Sequence, residues 1–355
     1  MEETTPTAPS AVSKTIAFAG ALMALCCIGI LCYSAALFYV VDKNISLIPT
    51  PTIDLACADT ICLNVCISRL PDFVIAPLSD HRTELAKKQG GYELIRYRLD
   101  ESNGQLKNIA SSEVPEYLKT YQADSNLHHR IWDYFTKIYL NSPELHLSYM
   151  VVYMDASEDG PAASISDLGG KWRLYVNLLD FDSPEAVIEI LTHEYGHILT
   201  LNKTQVQNIT NEYGSNREQS EFDKMRAMCQ NRFFTGFDCT AEKSYLNTFG
   251  NRFWSGEVYD SWVKIFLQKD QSADAINKAI DEFYAKYSDQ FVRAYAATNP
   301  REDIAESWVA FVLRPKPTGT SIANQKVLFF YDYPELVQMR TQIMQGICQN
   351  AAEHK

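Results

Sequence analysis

The stretch His193-Glu194-Tyr195-Gly196-His197 places two imidazole side chains four residues apart. On a helix this spacing puts both rings on one face, where they can bind a single metal ion, and it puts the carboxylate of Glu194 beside that ion. In sites of this type the carboxylate acts as a general base toward water that the metal activates. The stretch therefore predicts a helix that carries a metal centre.

The residues around this stretch are typical of such a helix. Ser183-Pro184-Glu185 supplies an N-cap, a first-turn proline and an acidic side chain at the positive end of the helix dipole. Apolar residues then recur at helical spacing: Ala186, Val187, Ile190, Leu191, Ile198 and Leu199. We expect a helix from about Pro184 to Leu201 with both histidines on its other side. The alternative is a surface helix that carries two histidines by coincidence.

Two histidines leave a catalytic zinc site one ligand short, because such sites have three protein ligands and one open position. A metzincin site would need a glycine and a further histidine three and six residues after His197. Thr200 and Lys203 occupy those positions, which excludes that arrangement. A glutamate on a later helix remains, in the His₂Glu arrangement.

The segment Tyr295–Trp308 offers that glutamate. Asn299 caps a predicted helix that Pro300 opens. Glu302 and Glu306 lie on one face of this helix, at positions i and i+4. We expect Glu302 to bind the metal and Glu306 to accept a hydrogen bond from the far nitrogen of a ligand histidine. Alternatively, Glu302 serves only as the third residue of a capping box that Asn299 begins.

The spacing Y-x-x-x-N-x-x-E-x-x-A-E, together with H-E-Y-G-H, resembles the gluzincin metallopeptidases related to the catalytic domain of anthrax lethal factor. The resemblance implies a zincin-like α+β fold and one Zn²⁺ ion with three ligands: His193, His197 and Glu302. It implies Glu194 as the general base, Glu306 as the acid that orients a ligand, and Tyr295 as the hydroxyl that stabilises the oxyanion. The alternative for Tyr295 is a half-buried aromatic residue without a catalytic part.

About 100 residues separate the two blocks, which is longer than the resemblance implies, so we expect an insertion at about residues 211–288. It contains Cys229, Cys239 and the aromatic-rich run Phe249–Trp262. The insertion is either a lid over the cleft or a helical subdomain that packs its aromatic side chains inside. Aromatic residues at helical spacing favour the second interpretation.

The segments before the metal helix predict a small sheet. Leu147–Met154 and Lys171–Leu178 are rich in strand formers, and Asn126–Leu140 has helical periodicity. Strands before a metal helix and helices after it give an α+β domain, with a small sheet packed on the metal helix and a largely helical C-terminal part. Lys171–Leu178 is either an edge strand that pairs with an extended substrate or an interior strand.

The N-terminus predicts a membrane anchor. Thr15–Val41 is a run of 27 residues without a charge, about 40 Å as a helix against a hydrocarbon core of about 30 Å. We therefore expect an N-terminal tail at 1–14 and a transmembrane signal-anchor at 15–41. A Cys-bearing stalk and N-terminal region at 42–125 and a zinc metallopeptidase domain at 126–350 would follow. The alternative is secretion after cleavage near Ser34-Ala35-Ala36.

Six of the nine cysteines lie beyond this apolar run. We expect them to form disulfides in an oxidising compartment outside the cytoplasm, whether extracellular, lumenal or periplasmic, with Cys229 and Cys239 as a local pair. The alternative is a second metal site at Cys57, Cys62 and Cys66, whose spacing differs from the usual C-x2-C and which has no adjacent histidine.

The charge balance bears on the partners. The chain has 32 Lys and Arg against 44 Asp and Glu, a net charge of −12, which argues against nucleic acid. Two hypotheses follow: a membrane-anchored zinc-dependent endopeptidase that hydrolyses peptides or proteins, or a catalytically inactive binding or adhesion protein with the same fold. The first is favoured, because a pure binder has no use for Glu194 beside the metal ligands.

Overall fold

A five-stranded mixed sheet and a larger set of helices make up the computed structural model, so the predicted α+β class is confirmed. The structure describes residues 57, 59–71, 81–88, 90–100, 105–139, 147–157, 161–167, 171–208, 218–268 and 272–353. The predicted tail at 1–14 and the predicted signal-anchor Thr15–Val41 lie outside these residues. Within them, no helix combines the length and the apolar character that crossing a bilayer requires.

The order of the strands shows which of them are interior and which lie at the edges of the sheet. The five strands are β1 (Tyr92–Asp100), β2 (Gln105–Ser111), β3 (Leu147–Met154), β4 (Ala163–Asp167) and β5 (Trp172–Asn177). They lie in the order β2-β1-β3-β5-β4, in which only the β3–β5 pair is parallel. The predicted strand at 171–178 is therefore interior, which excludes the edge-strand alternative. Among the described strands, β2 and β4 form the two edges of the sheet.

The sheet also crosses the predicted boundary between residues 125 and 126. Strands β1 and β2 belong to the predicted N-terminal region, yet β1 pairs with β3 from Tyr92 opposite Met154 to Arg98 opposite Tyr149.

Two further short strands, β6 (Val206–Asn208) and β7 (Asp238–Thr240), pair with each other.

α-Helices make up most of the remaining described residues. Before the metal helix lie α1 (Thr60–Ile67), α2 (Arg82–Ala86), α3 (Lys119–Ala123) and α4 (Ser125–Tyr139). The helix predicted to bind the metal, called the metal helix here, is α5 (Pro184–Leu201). After it follow α6 (Gln219–Met228), α7 (Tyr245–Phe253), α8 (Glu257–Phe266), α9 (Ala273–Lys286), α10 (Pro300–Leu313), α11 (Ile322–Phe329) and α12 (Pro334–Glu353).

The metal helix begins and ends where the sequence predicts. The hydroxyl oxygen of Ser183 accepts a hydrogen bond from the backbone N–H of Ala186 at 3.2 Å, and Pro184 occupies the first turn. All residues from Leu191 to Ile198 are buried. Gly196 permits the close approach of α10, because a methyl group there would lie 3.2 Å from the Cα of Ala305. The two predicted metal-binding segments are therefore packed directly against each other.

The six cysteines form three disulfides: Cys57–Cys62, Cys66–Cys348 and Cys229–Cys239. The predicted local pair is confirmed. The alternative of a second metal site is not favoured, because each of its three cysteines is already paired. The disulfides agree with an oxidising compartment.

The aromatic side chains of the run Phe249–Trp262 are buried, as the helical interpretation expects. Trp254 and Trp262 lie in the core. Their indole N–H groups reach the start of α10, where Trp254 donates to the carboxylate of Asp303 at 2.7 Å and Trp262 donates to the carbonyl of Thr298 at 2.7 Å. The insertion thus supports the segment that carries Glu302.

Candidate metal centre

Three side chains from two distant parts of the sequence converge at one point. The Nε2 atoms of His193 and His197 lie 3.1 and 3.2 Å from the same carboxylate oxygen of Glu302. Donor atoms at tetrahedral positions around zinc, each about 2.0–2.1 Å from the ion, would be about 3.3 Å apart. This group, whose ligand atoms all lie within 4.8 Å of one another, can therefore hold a metal ion.

The N-terminus of α10 explains how Glu302 is placed. The side-chain oxygen of Asn299 accepts hydrogen bonds from the backbone N–H groups of Arg301 and Glu302 at 2.9 and 3.2 Å. The cap therefore uses the backbone of Glu302, while its carboxylate points at the two histidines. The capping-box alternative does not account for this orientation.

Glu306 lies one turn further along α10 and holds the other side of the His193 ring. Its Oε1 atom is 2.7 Å from Nδ1 of His193, and the carboxylate is buried. A histidine that ligates a metal through Nε2 needs such an acceptor for its Nδ1–H, which fixes the tautomer and the ring orientation. Both nitrogens of His193 thus have the surroundings that a ligand histidine requires.

The same contacts influence the protonation of His193. Burial lowers the pKa of His193, but hydrogen bonds with Glu302 and Glu306 outweigh it and raise the pKa to about 10. A ligating nitrogen must be deprotonated, so metal binding at neutral pH would release a proton from this ring. The pKa of Glu302 is lowered, because its charge interactions and hydrogen bonds with His193 and His197 outweigh burial.

Glu194 lies outside the ligand group but next to it in sequence. Its side chain is 4% exposed, and burial raises the pKa of its carboxyl group. Within the part of the chain that the structure describes, one of its oxygens has no hydrogen-bond partner. A buried carboxylate oxygen of this kind is costly unless it binds water or substrate, so the arrangement suits a general base.

Tyr295 stands at the exposed side of the centre. It belongs to a short 3₁₀ helix, Ala294–Ala297, and its ring centroid lies 5.8 Å from that of His193. Half of the side chain is exposed, so its burial fits the alternative of a half-buried aromatic residue as well as a catalytic hydroxyl. Burial of the remaining part and the charge of Glu302 both raise the pKa of the hydroxyl group, so it remains a hydrogen-bond donor at neutral pH.

Comparisons with protein-family models, with curated proteins and with solved structures find no match for this chain. The case for a function therefore depends on the geometry of the site and on its chemistry.

Three ion-pair contacts at or next to the centre were not predicted from the sequence. The guanidinium of Arg293 contacts Glu306 and Glu189, and the fully buried Lys326 ammonium lies 2.6 Å from the carboxylate of Asp303, the neighbour of Glu302. The only sequence feature that points to Arg293 is its position two residues before Tyr295.

Proposed function

We propose that this protein is a zinc-dependent endopeptidase, related in plan to the gluzincin peptidases, and that it is anchored to a membrane by residues 15–41 with its catalytic part outside the cytoplasm. The observation that supports the proposal most strongly is the convergence of His193, His197 and Glu302. A glutamate on a second helix, aimed at both histidines, is what the His₂Glu class of catalytic zinc sites requires.

The residues around the ligands have separate tasks in this proposal. Zinc, when bound, supplies a Lewis acid that makes water a stronger nucleophile at neutral pH. Glu194 accepts the proton from the attacking water and passes it to the leaving amine. The hydroxyl of Tyr295 donates a hydrogen bond to the oxyanion. Glu306 keeps the Nδ1–H of His193 occupied, so that Nε2 faces the metal.

The position of β4 supports a peptide as substrate. Among the described strands, β4 forms the edge of the sheet next to β5, and it packs against α5. An extended peptide can add to such an edge through backbone hydrogen bonds. A peptide bound there would lie beside the helix that carries Glu194.

The test of this proposal is zinc binding together with peptide cleavage. We expect the protein to bind one zinc ion per chain and to lose cleavage of a casein-type substrate on chelation, with recovery on zinc addition. A Glu302→Gln variant should bind zinc more than about 100-fold more weakly, because losing a ligand costs more than losing one of its hydrogen-bond partners. Inductively coupled plasma mass spectrometry measures the zinc content per chain, and chelator competition measures the zinc affinity.

The matched control is Glu353→Gln, which removes an exposed carboxylate that pairs with Lys137 at 3.0 Å. This variant should retain zinc and activity. A wild-type protein without stoichiometric zinc, or a Glu302→Gln variant with unchanged zinc affinity, contradicts the proposal.

A second prediction concerns Tyr295. Its replacement by Phe removes one hydrogen-bond donor to the oxyanion and should lower kcat by about 10²- to 10³-fold. The KM and the zinc content should stay close to the wild-type values, because the ring and the ligands remain. Steady-state kinetics on a fluorogenic peptide measure the effect, with Tyr333→Phe as a control that removes a hydroxyl before α12. An unchanged kcat would exclude the hydroxyl from the reaction.

A further inference from the structure

Arg293 connects three parts of the candidate centre through one guanidinium group. Its Nη2 donates to Oε1 of Glu306 at 2.5 Å, and its Nε pairs with the other carboxylate oxygen of Glu306. Its Nη1 donates to Oε1 of Glu189 at 2.6 Å. Glu189 lies on α5, one turn before His193, and Glu306 lies on α10, one turn after Glu302. Arg293 therefore contacts both helices that carry the ligands.

The contact with Glu306 is of the kind that fixes geometry. A guanidinium that grips both oxygens of a carboxylate constrains its plane as well as its position, which a lysine cannot do. The carboxylate of Glu306 is 2% exposed and also faces Nδ1 of His193 at 2.7 Å. The orientation of the His193 ring thus depends on a carboxylate that Arg293 holds in place.

Arg293 also lies at the start of the segment that bears Tyr295. Its backbone is extended, and the 3₁₀ helix of Tyr295 begins at the next residue. Because Tyr295 is half exposed, packing covers only part of its side chain. The anchoring of Arg293 to α5 and α10 therefore limits where the Tyr295 hydroxyl can lie.

We propose that Arg293 is a positioning residue that orients His193 through Glu306 and holds the Tyr295 segment against the metal centre. The inference rests on the proposed function. Beyond that function, we infer that the geometry of the site depends on an arginine outside the two patterns H-E-Y-G-H and Y-x-x-x-N-x-x-E-x-x-A-E. Among the described residues, the ion pairs of Arg293 are with Glu189 and Glu306 and with neither the metal ligands nor the general base.

The experiment compares zinc affinity in Arg293→Lys, Glu306→Gln and the double variant, by chelator competition. Arg293→Lys keeps a positive charge beside the buried carboxylate but loses the two-point grip, and it should weaken zinc binding roughly tenfold. If Arg293 acts through Glu306, the double variant should bind zinc no more weakly than Glu306→Gln alone. Additive losses would overturn the proposal, since they indicate an independent structural effect.

Kinetics of Arg293→Lys give a second readout. We expect kcat to fall while KM remains unchanged, because the substituted group contacts no substrate. Glu189→Gln removes only the contact with α5 and should weaken zinc binding less than Glu306→Gln does. An equal loss in these two variants would contradict a route through Glu306, and this comparison does not require Arg293→Lys to fold.

The matched control is Arg252→Met, which removes an exposed arginine 3.7 Å from Asp332 and should change neither zinc affinity nor kcat. The results distinguish a failure of the proposed function from a failure of the inference about Arg293. A wild-type protein without zinc excludes the proposed function and the inference with it. A wild-type protein that binds zinc and cleaves peptides, with an Arg293→Lys variant of equal affinity and kcat, excludes the inference alone.

Discussion

A Glu194→Gln variant should retain one zinc ion per chain and lose peptide cleavage by about 10²- to 10⁴-fold in kcat, the usual contribution of a general base. The carboxylate is buried, interacts electrostatically with the three candidate ligands and has an oxygen without a partner in the described part of the chain. The amide is isosteric with the carboxylate but cannot accept the proton from water. Zinc content and kcat, measured on the same preparation, test the prediction.

Glu185→Gln is the matched control, because Glu185 is an exposed glutamate in the first turn of the same helix. It should leave both quantities unchanged. Equal cleavage by the wild type and by Glu194→Gln would show that Glu194 is not the base. A wild-type protein that holds zinc and cleaves no peptide would instead support the alternative of a binding or adhesion protein.

Both helices that carry the centre could be predicted, because their determinants are local. Ser183 and Pro184 begin α5, and Asn299 and Pro300 begin α10, each within one turn of the residues that they cap. Once both helices were fixed, helical spacing alone placed His193 with His197 and Glu302 with Glu306. Strand β3 and the pair Cys229–Cys239 are predictable for the same reason.

Most contacts between distant segments could not be predicted in this way. The approach of Glu302 to the two histidines is the exception, because a catalytic zinc site needs a third protein ligand. Arg293 is 104 residues from Glu189, and no periodicity relates the two. The order of the strands depends on long-range pairing. Local sequence patterns therefore could not predict that β5 is interior and that β4 (Ala163–Asp167) lies at an edge of the sheet. The hydrophobic pattern of Lys171–Leu178 is compatible with both positions.

Behind Glu302, a buried ion pair supports the start of α10. Lys326 on α11 and Asp303 on α10 are both fully buried, and Asp303 also accepts the hydrogen bond from Trp254. The ammonium lies 4.1 Å from the centroid of the Phe291 ring. Burial raises the pKa of Asp303 to about 6 and lowers the pKa of Lys326, so each group depends on the other to remain charged.

Lys326→Met should therefore lower the free energy of unfolding by about 3–5 kcal/mol, the usual cost of leaving one charge of a buried pair without its partner. Denaturant unfolding of the full chain, with the disulfides intact, measures the effect. Lys137→Met, which breaks the exposed pair with Glu353, should have little effect.

The double variant Lys326→Met with Asp303→Asn separates the lost charge from the lost packing. Asparagine keeps an acceptor for the indole N–H of Trp254 and carries no charge, so most of the stability should return.

The sign of the pH dependence gives a further test. In Lys326→Met the folded-state pKa of Asp303 is raised above its unfolded-state pKa. The free energy of unfolding therefore falls as the pH rises from the unfolded-state pKa through the folded-state pKa. The deficit of the single variant relative to the double variant should therefore shrink at acidic pH. A deficit that is independent of pH would indicate a packing defect and would rule out the charge as its cause.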